Sequence, residues 1–393
     1  MKFLYLIFFL LFNISIVLYA ADYKVTLMGT ESLPVPINCT VEWDVKGINN
    51  KGQVYGLYRK NEPFKDQKTS IYIYDYKGGI YFIESDKYSF FSSCMANNNG
   101  QMIGEWSGKP NIFIYSKTLG IRPLDFSNVF DKYKTSNDTN NHITPVAFND
   151  LGQMIGTSYM HSRGEEPLLW DNGVISEMGK GSEFATNFES QGYHVFEIQI
   201  LSINNKGELA GYFCYGRYNE KQKKYVKSGY KTFFWDGNLH VLDLASEARP
   251  PQVLKVNNCG VLLIRESIVD YFNDRVTEMT HLWDVDNGLL TISDFYGTDI
   301  NDSSTVLGFK KEHICCRDFN SVPAIWKNGQ CITIAELLNV PHLGDIAPPY
   351  SDQYLVERLH PESFVGINNK GQIACLGTVW GEQHPCILEP VSE

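Results

Sequence analysis

The sequence predicts an all-β chain, folded as a seven-bladed β-propeller of four-stranded antiparallel blades. Three observations predict it. A turn-forming unit recurs seven times along the chain. A second apolar unit follows the first at a similar distance. The final repeat is one strand short, and the N-terminal segment has a strand to spare.

The first unit is clearest in Gly47-Ile48-Asn49-Asn50-Lys51-Gly52-Gln53-Val54-Tyr55-Gly56. Its copies have their first Asn at 49, 97, 149, 204, 257, 301 and 368, in steps of 48, 52, 55, 53, 44 and 67 residues. A period near fifty marks a repeat architecture. Each copy sets an apolar residue before Asn-Asn or Asn-Asp and an alternating apolar run after it. Asn at the first position of a type I turn, with Gly at the fourth, joins two antiparallel strands through a bulge. The Asn side chain can bond the turn's own backbone, and Gly accepts the positive φ that other residues resist. Each copy is therefore expected to be a hairpin tip. The sixth has Ser304 in the Gly position, so its turn is expected to be looser or of another type.

The second unit reads Ile71-Tyr72-Ile73-Tyr74, Ile112-Phe113-Ile114-Tyr115, Leu168-Leu169-Trp170, Phe233-Phe234-Trp235, His281-Leu282-Trp283 and Ala324-Ile325-Trp326. A Gly-containing turn and another short apolar run follow, as in Asp236-Gly237-Asn238 and Leu239-His240-Val241-Leu242. Four short strands joined by turns make one blade, and blades arrayed about an axis make a propeller. After the seventh tip only Ile373 to Gly377 and Pro385 to Leu388 read as strands. Tyr23 to Met28 is the spare. It is expected to pair with the C-terminal blade and close the ring, because an open ring would leave an unpaired edge.

Residues 1–20 read as a signal peptide: Lys2, then an apolar run broken by Asn13 and Ser15, with Ala20 before the cut. An uncleaved anchor is the alternative, since the run nearly suffices to span a bilayer. Residues 21–393 form the single propeller domain. The reading places the mature chain outside the cytoplasm, secreted, periplasmic or on the cell surface. It is expected to be a monomer with no membrane contact after cleavage. The formal charge of −11 argues against nucleic acid, which needs clustered Lys and Arg.

Nine cysteines are present, and an oxidising compartment favours pairing. Cys375 and Cys386, on neighbouring strands of the last blade, are the candidate disulfide. The odd count leaves at least one thiol over. Cys315-Cys316 has no C-x-x-C companion and reads as a loop pair, not a redox site.

The search for chemistry is mostly negative. G-x-S-x-G, H-E-x-x-H, P-loop and post-strand G-x-G-x-x-G motifs are absent. The nine His are scattered. His281 and His384 share a slot in their repeats and are read as packing residues. The tips are rich in amides, with acids only at Asp150 and Asp302, so they read as turns and not as calcium loops. No metal or cofactor is expected. Glycosylation triplets occur at Asn38, Asn137 and Asn301, the last inside a tip. Tyr72, Tyr74, Tyr76 and Tyr81 are read as inter-blade core, not as a sugar-stacking face. Three insertions stand out: polar Asp125 to Asn141, a loop; Lys- and Tyr-rich Tyr215 to Lys231, a long hairpin; and Ile334 to Leu338, a single helical turn.

The repeated Ile-Asn-Asn-Lys-Gly-Gln-Val-x-Gly unit, with its strand ending near Leu-Trp, resembles the HAF-repeat family of extracellular bacterial proteins. The opening Tyr23 to Thr30 and the closing His384 to Val391 share the likeness, which covers nearly all of residues 22–393. The family's His-Ala-Phe triplet survives only as His281 and His384. The resemblance implies export and a propeller-like repeat fold. It implies no reaction and supplies no catalytic residues.

The reading is of an exported binding or interaction module for a protein or carbohydrate ligand. A structural or host-contact surface protein is a further reading. The alternative from another class is a propeller enzyme, such as a glycan-active lyase or hydrolase with its site at the channel mouth. That would need carboxylates converging from several blades. Asp44, Glu197, Asp299 and Glu362, just before the tips, are the candidates.

Overall fold

A computed structural model of the chain describes residues 23–27, 40–61, 68–75, 79–84, 91–106, 111–127, 142–160, 164–244, 249–270, 275–315, 318–340, 358–359, 363–379 and 382–391. The signal segment, Asn38, Tyr76, Asn137, Cys316, Glu362 and most of the Asp125 to Asn141 loop lie outside these residues.

Seven antiparallel sheets form the ring, and six are four-stranded meanders in chain order. The first blade runs Thr40–Ile48, Val54–Asn61, Lys68–Asp75, Gly79–Ile83. The innermost strands of the next five are Phe91–Ala96, His142–Phe148, His194–Ile203, Gln252–Val256 and Phe295–Ile300. In the seventh, Ile373–Val379 pairs inward with two short pieces, Arg358–Leu359 and Gly366–Ile367, and outward with Glu382–Pro390. The spare strand Tyr23–Leu27 is the outermost member of that blade, in register from Tyr23 opposite Pro390 to Leu27 opposite Cys386. The two ends of the chain thus close the ring.

The core lies between blades, which strand alternation explains. Ile71 and Tyr72 are adjacent and both fully buried, yet they point to opposite neighbours. Ile71 packs with Phe91, Cys94 and Phe113 of blade two, Tyr72 with Ala374 and Ile387 of blade seven. Of the tyrosines read as core, Tyr72 is buried and Tyr74 packs partly against the same cluster. Tyr81 is 40% exposed, because it stands on the outermost strand of its blade, where no further strand covers it.

The tips are built as the turn chemistry requires. In the first, Gly52 N–H donates to Asn49 C=O, Asn49 N–H donates to Gln53 C=O, and Asn49 Oδ1 accepts from Lys51 and Gln53 N–H. The sixth tip differs from expectation. Ser304 takes φ +56° and its N–H donates to Asn301 C=O at 3.0 Å, so the turn is the same type as the rest. The Ser303 and Thr305 N–H groups donate to Asn301 Oδ1, as their counterparts do in the first tip, and hold the turn although Ser304 carries a Cβ into the left-handed region.

The last Gly of the unit has a purpose of its own. Five of the innermost strands bulge three residues before the tip's first Asn, at Lys46, Val146, Leu201, Leu254 and Thr298. In three of these blades a carbonyl upstream of the bulge is driven against the next strand. A Cβ on Gly56, Gly211 or Gly308 would overlap the carbonyl oxygens of Asp44, Gln199 and Tyr296 respectively.

Among the described residues two helices decorate the ring. The expected turn is α2, Ile334–Leu337, with a capping box from Thr333 and Glu336. An unexpected helix, α1, Glu183–Ser190, links blades three and four. Ser182 caps it, and it lays Phe184 and Phe188 on Phe213 and Phe233.

Candidate functional site

At one end of the channel the seven tips meet. The first Asn of each, 2–5% exposed, donates its Nδ2 to the carbonyl of the equivalent Asn on the next blade. The order is Asn49 to Asn97, Asn149, Asn204, Asn257, Asn301 and Asn368, then back to Asn49, at 2.8–3.1 Å. A second ring lies beside it. The backbone N–H of each second tip residue donates to the Oδ1 of its counterpart on the next blade. It runs from Asn50 to Asn98, Asp150, Asn205, Asn258, Asp302, Asn369 and again Asn50, at 2.5–2.9 Å.

The two acids of the second ring are placed to serve it. Asp150 Oδ2 accepts from the Nδ2 of Asn98 and Asn205, and Asp302 Oδ2 from those of Asn258 and Asn369. Buried polar groups must find partners, and here the tips find them in one another. All the ring residues but Asn149 and Asn301 line a cavity of about 200 Å3, together with Ile48, Tyr55, Lys255 and Ile300. No cluster of His, Cys, Asp or Glu able to hold a metal is present among the described residues.

Each of the described candidate carboxylates has partners of its own. Asp44 sits between Lys46 at 2.9 Å and Arg59 at 3.6 Å. Asp299 binds Lys255 Nζ at 2.7 Å and accepts the N–H groups of Ile300 and Ile367 at 2.8 Å. Asp299 thereby ties blades five, six and seven, supplying the acceptor that the two-residue strand Gly366–Ile367 lacks in its own sheet. Glu197 is the third, far from the tips.

Around Glu197 a polar cluster forms at the opposite end of blade four, out of residues the sequence search passed over. The buried Gln199 offers its Nε2 to Glu197 Oε1 at 3.4 Å and to Glu165 Oε2, on blade three, at 3.3 Å. Tyr212 lies beside them, edge-on to Tyr230 with centroids 5.8 Å apart. Burial, then the Glu197 carboxylate, pushes the Tyr212 phenol up to about 12. Lys227 Nζ donates to Tyr230 Oη, the main reason the ammonium is held above its ordinary value. The prior signals for this cluster were Glu197, a candidate carboxylate, and the Lys- and Tyr-rich composition of Tyr215 to Lys231.

That segment is the expected long hairpin, Leu209–Asn219 with Lys224–Trp235. It carries an aromatic series outward from the cluster. His194 stacks on Tyr225 at 3.9 Å, and Tyr218 meets Tyr225 edge-on at 5.4 Å. Tyr218 and Tyr225 are 53% and 47% exposed.

The remaining predicted positions are structural or outside view. His281 is buried between Thr291 Oγ1 at 3.0 Å and Glu266 Oε2 at 3.2 Å. Asn301 is committed to the tip ring. Cys375 and Cys386, the candidate disulfide pair, stand directly opposite each other, both fully buried, with free thiols.

The chain is thus a closed seven-bladed β-propeller. No family model and no curated protein matches it. Solved structures similar to it include virginiamycin B lyase from Staphylococcus aureus, at 11% identity and TM-score 0.42, covering 90% of this chain and 100% of that one. The β-propeller domain of the Trilobed protease from Pyrococcus furiosus shares 12% identity at TM-score 0.47, over 89% of this chain and 98% of that one. A Mycobacterium tuberculosis puromycin-hydrolyzing peptidase shares 7% identity at TM-score 0.46, over 88% of this chain and 53% of that one. These likenesses are of fold alone.

Proposed function

We propose that the chain is an exported binding module, of the HAF-repeat kind, that takes its ligand at the outer end of blade four. The observation that carries this reading is the contrast between the two faces. On the tip face, side-chain amides and carboxylates are spent on inter-blade bonds. On the opposite face, blade four extends a hairpin of half-exposed rings from a polar cluster, and uneven loops on a rigid scaffold are where binding concentrates. The seven repeated tips and the N-terminal strand support the family reading, and residues 1–20 support export.

The test is a glycan and protein binding screen on residues 21–393, repeated with Tyr212→Phe and Lys227→Ala. A ligand whose affinity falls in these variants, with folding unchanged, supports the reading. A ligand that binds every variant alike removes blade four from it.

One observation favours a second reading, a glycan-active enzyme. Glu165 and Glu197 share one amide donor, which places two carboxylates from different blades beside the Tyr212 phenol. Paired carboxylates are the usual apparatus of glycoside cleavage. Release of reducing ends or of unsaturated sugar, abolished in Glu197→Gln, would support it. Binding without turnover would leave the module reading standing.

A further inference from the structure

The blade-four hairpin is at odds with the charge of the chain that carries it. The whole sequence has a formal charge of −11, yet residues 215–231 hold six basic side chains against one acid, Glu220. Lys221, Lys223, Lys224 and Lys227 are all exposed. Lys227 bonds Tyr230 and Lys231 pairs with Asp243, but like charges massed in one hairpin repel one another, a cost to the fold. They raise the local concentration of an anionic partner instead.

The aromatic residues sharpen the choice of partner. Tyr218 and Tyr225 are cross-strand partners, and Gly216 faces Lys227 two positions along. Side chains two apart share a face of the sheet, so Tyr218, Tyr225 and Lys227 lie on one side of the hairpin. Opposite Gly216 on the innermost strand is His194, whose ring stacks on Tyr225 and fixes it. The rings thus stand in an open row. A protein partner would favour a pocket for a buried anchor residue. The half-exposed rings offer flat faces instead, with ammonium groups beside them.

We infer that the ligand is an anionic polysaccharide, lying along the hairpin with sugar rings against Tyr218 and Tyr225. Its carboxylates or sulfates meet Lys227 and the turn residues Lys221 and Lys223. This rests on the binding reading above and narrows its ligand class.

Residues 21–393 would be titrated with polygalacturonate, dextran sulfate, neutral dextran and poly-L-glutamate. The expected result is binding to polygalacturonate or dextran sulfate and none to dextran. Affinity for poly-L-glutamate should be at least tenfold weaker, and binding should weaken as salt is raised. Whichever of the two polysaccharides binds tells carboxylate from sulfate. Tyr225→Ala should weaken binding by roughly three- to tenfold, the range of an aromatic contact. Lys221→Glu with Lys223→Glu should weaken it further. Lys221 and Lys223 are exposed, so thermal unfolding of that double variant should not move, and the loss of the His194 stack in Tyr225→Ala should lower it only slightly.

Equal binding of poly-L-glutamate, or no effect of Tyr225→Ala, would overturn the inference by showing plain polyanion attraction. Failure of both polysaccharides would also overturn it. If the broader screen then gave another ligand that Tyr225→Ala weakened, the module reading would survive alone. If no probe bound, both would fall.

Discussion

Asn368 donates its Nδ2 to the carbonyl of Asn49 at 2.9 Å, across 319 residues of sequence. This bond closes the inner ring of tips at the point where the last blade meets the first. The same side chain also donates to Gln372 Oε1, and its Oδ1 accepts from Lys370 and Gln372 N–H. One amide therefore folds its own turn and fastens the neighbouring blade.

Asn368→Ala should destabilise the fold by about 2–4 kcal/mol, because it strands several buried groups at once. Asn369→Ala, in the more exposed second ring, should cost about 1 kcal/mol. Denaturant midpoints of the two variants check the difference. Equal midpoints would deny the inner ring its special weight.

Ser304→Gly should stabilise the chain by about 1 kcal/mol, the penalty of a side chain in the left-handed region. Gly100→Ala should destabilise it by a similar amount. Gly100 has φ +79° and open space around its Cα, so only backbone strain acts there. Thermal unfolding of both variants, shifting in opposite directions, is the check.

Gly211→Ala should be worse than Gly100→Ala, by about 3 kcal/mol or more. Here the dihedral is ordinary and the obstacle is the Gln199 carbonyl. A poor yield of soluble protein, or a clearly lowered unfolding midpoint, is expected. A variant as stable as the wild type would mean that the bulge can relax.

Much of this was legible because turn chemistry is local. Asn-Asn-Lys-Gly at 49–52 specifies its own hairpin, and seven such hairpins specify the blade count. The strand spare at Tyr23 and missing after Leu388 specified the closure. What was hidden is what only the assembled ring creates. Asn49 Nδ2 needs a neighbouring tip before it has an acceptor. Gly211 is required by a carbonyl on another strand. Glu165 and Glu197 lie on different blades and share no motif. Asp299 looked like a spare carboxylate until the short strand at Gly366 gave it a backbone amide to satisfy. Ser304 misled because tip geometry is held by neighbouring blades as well as by its own residues.

His384 should make the fold sensitive to mild acid. Burial holds its imidazole below the ordinary value, with Glu382 opposing the shift, and its Nδ1 is buried without a partner. Between the lowered folded value and the ordinary value of about 6.5, the unfolded chain binds more protons. Stability therefore rises with pH through this window and falls as pH drops below about 6.5. His384→Gln should flatten that part of the profile, which denaturation at several pH values would measure.

Cys375 and Cys386 should form a disulfide on oxidation. Directly opposed antiparallel residues have Cα atoms about 4.5–5.5 Å apart, within the roughly 4.4–6.8 Å that a disulfide spans. Burial holds the Cys375 thiol well above its ordinary value, so the reaction should be slow in the folded chain and fast during folding. Titration of thiols in denaturant, after folding with and without oxidant, should show two more thiols lost on oxidation in the wild-type chain than in Cys375→Ser. An unchanged count in the wild-type chain would show that the pair stays reduced.

The tip ring runs in one direction, and every member gives and receives through the same kind of group. No tip is marked as first or last by its place in the inner ring. A circularly permuted order of the blades would therefore keep every inner-ring partner. The same indifference means that a duplicated unit would enter the circuit already carrying both of its fastenings, so such a ring can grow by copying alone.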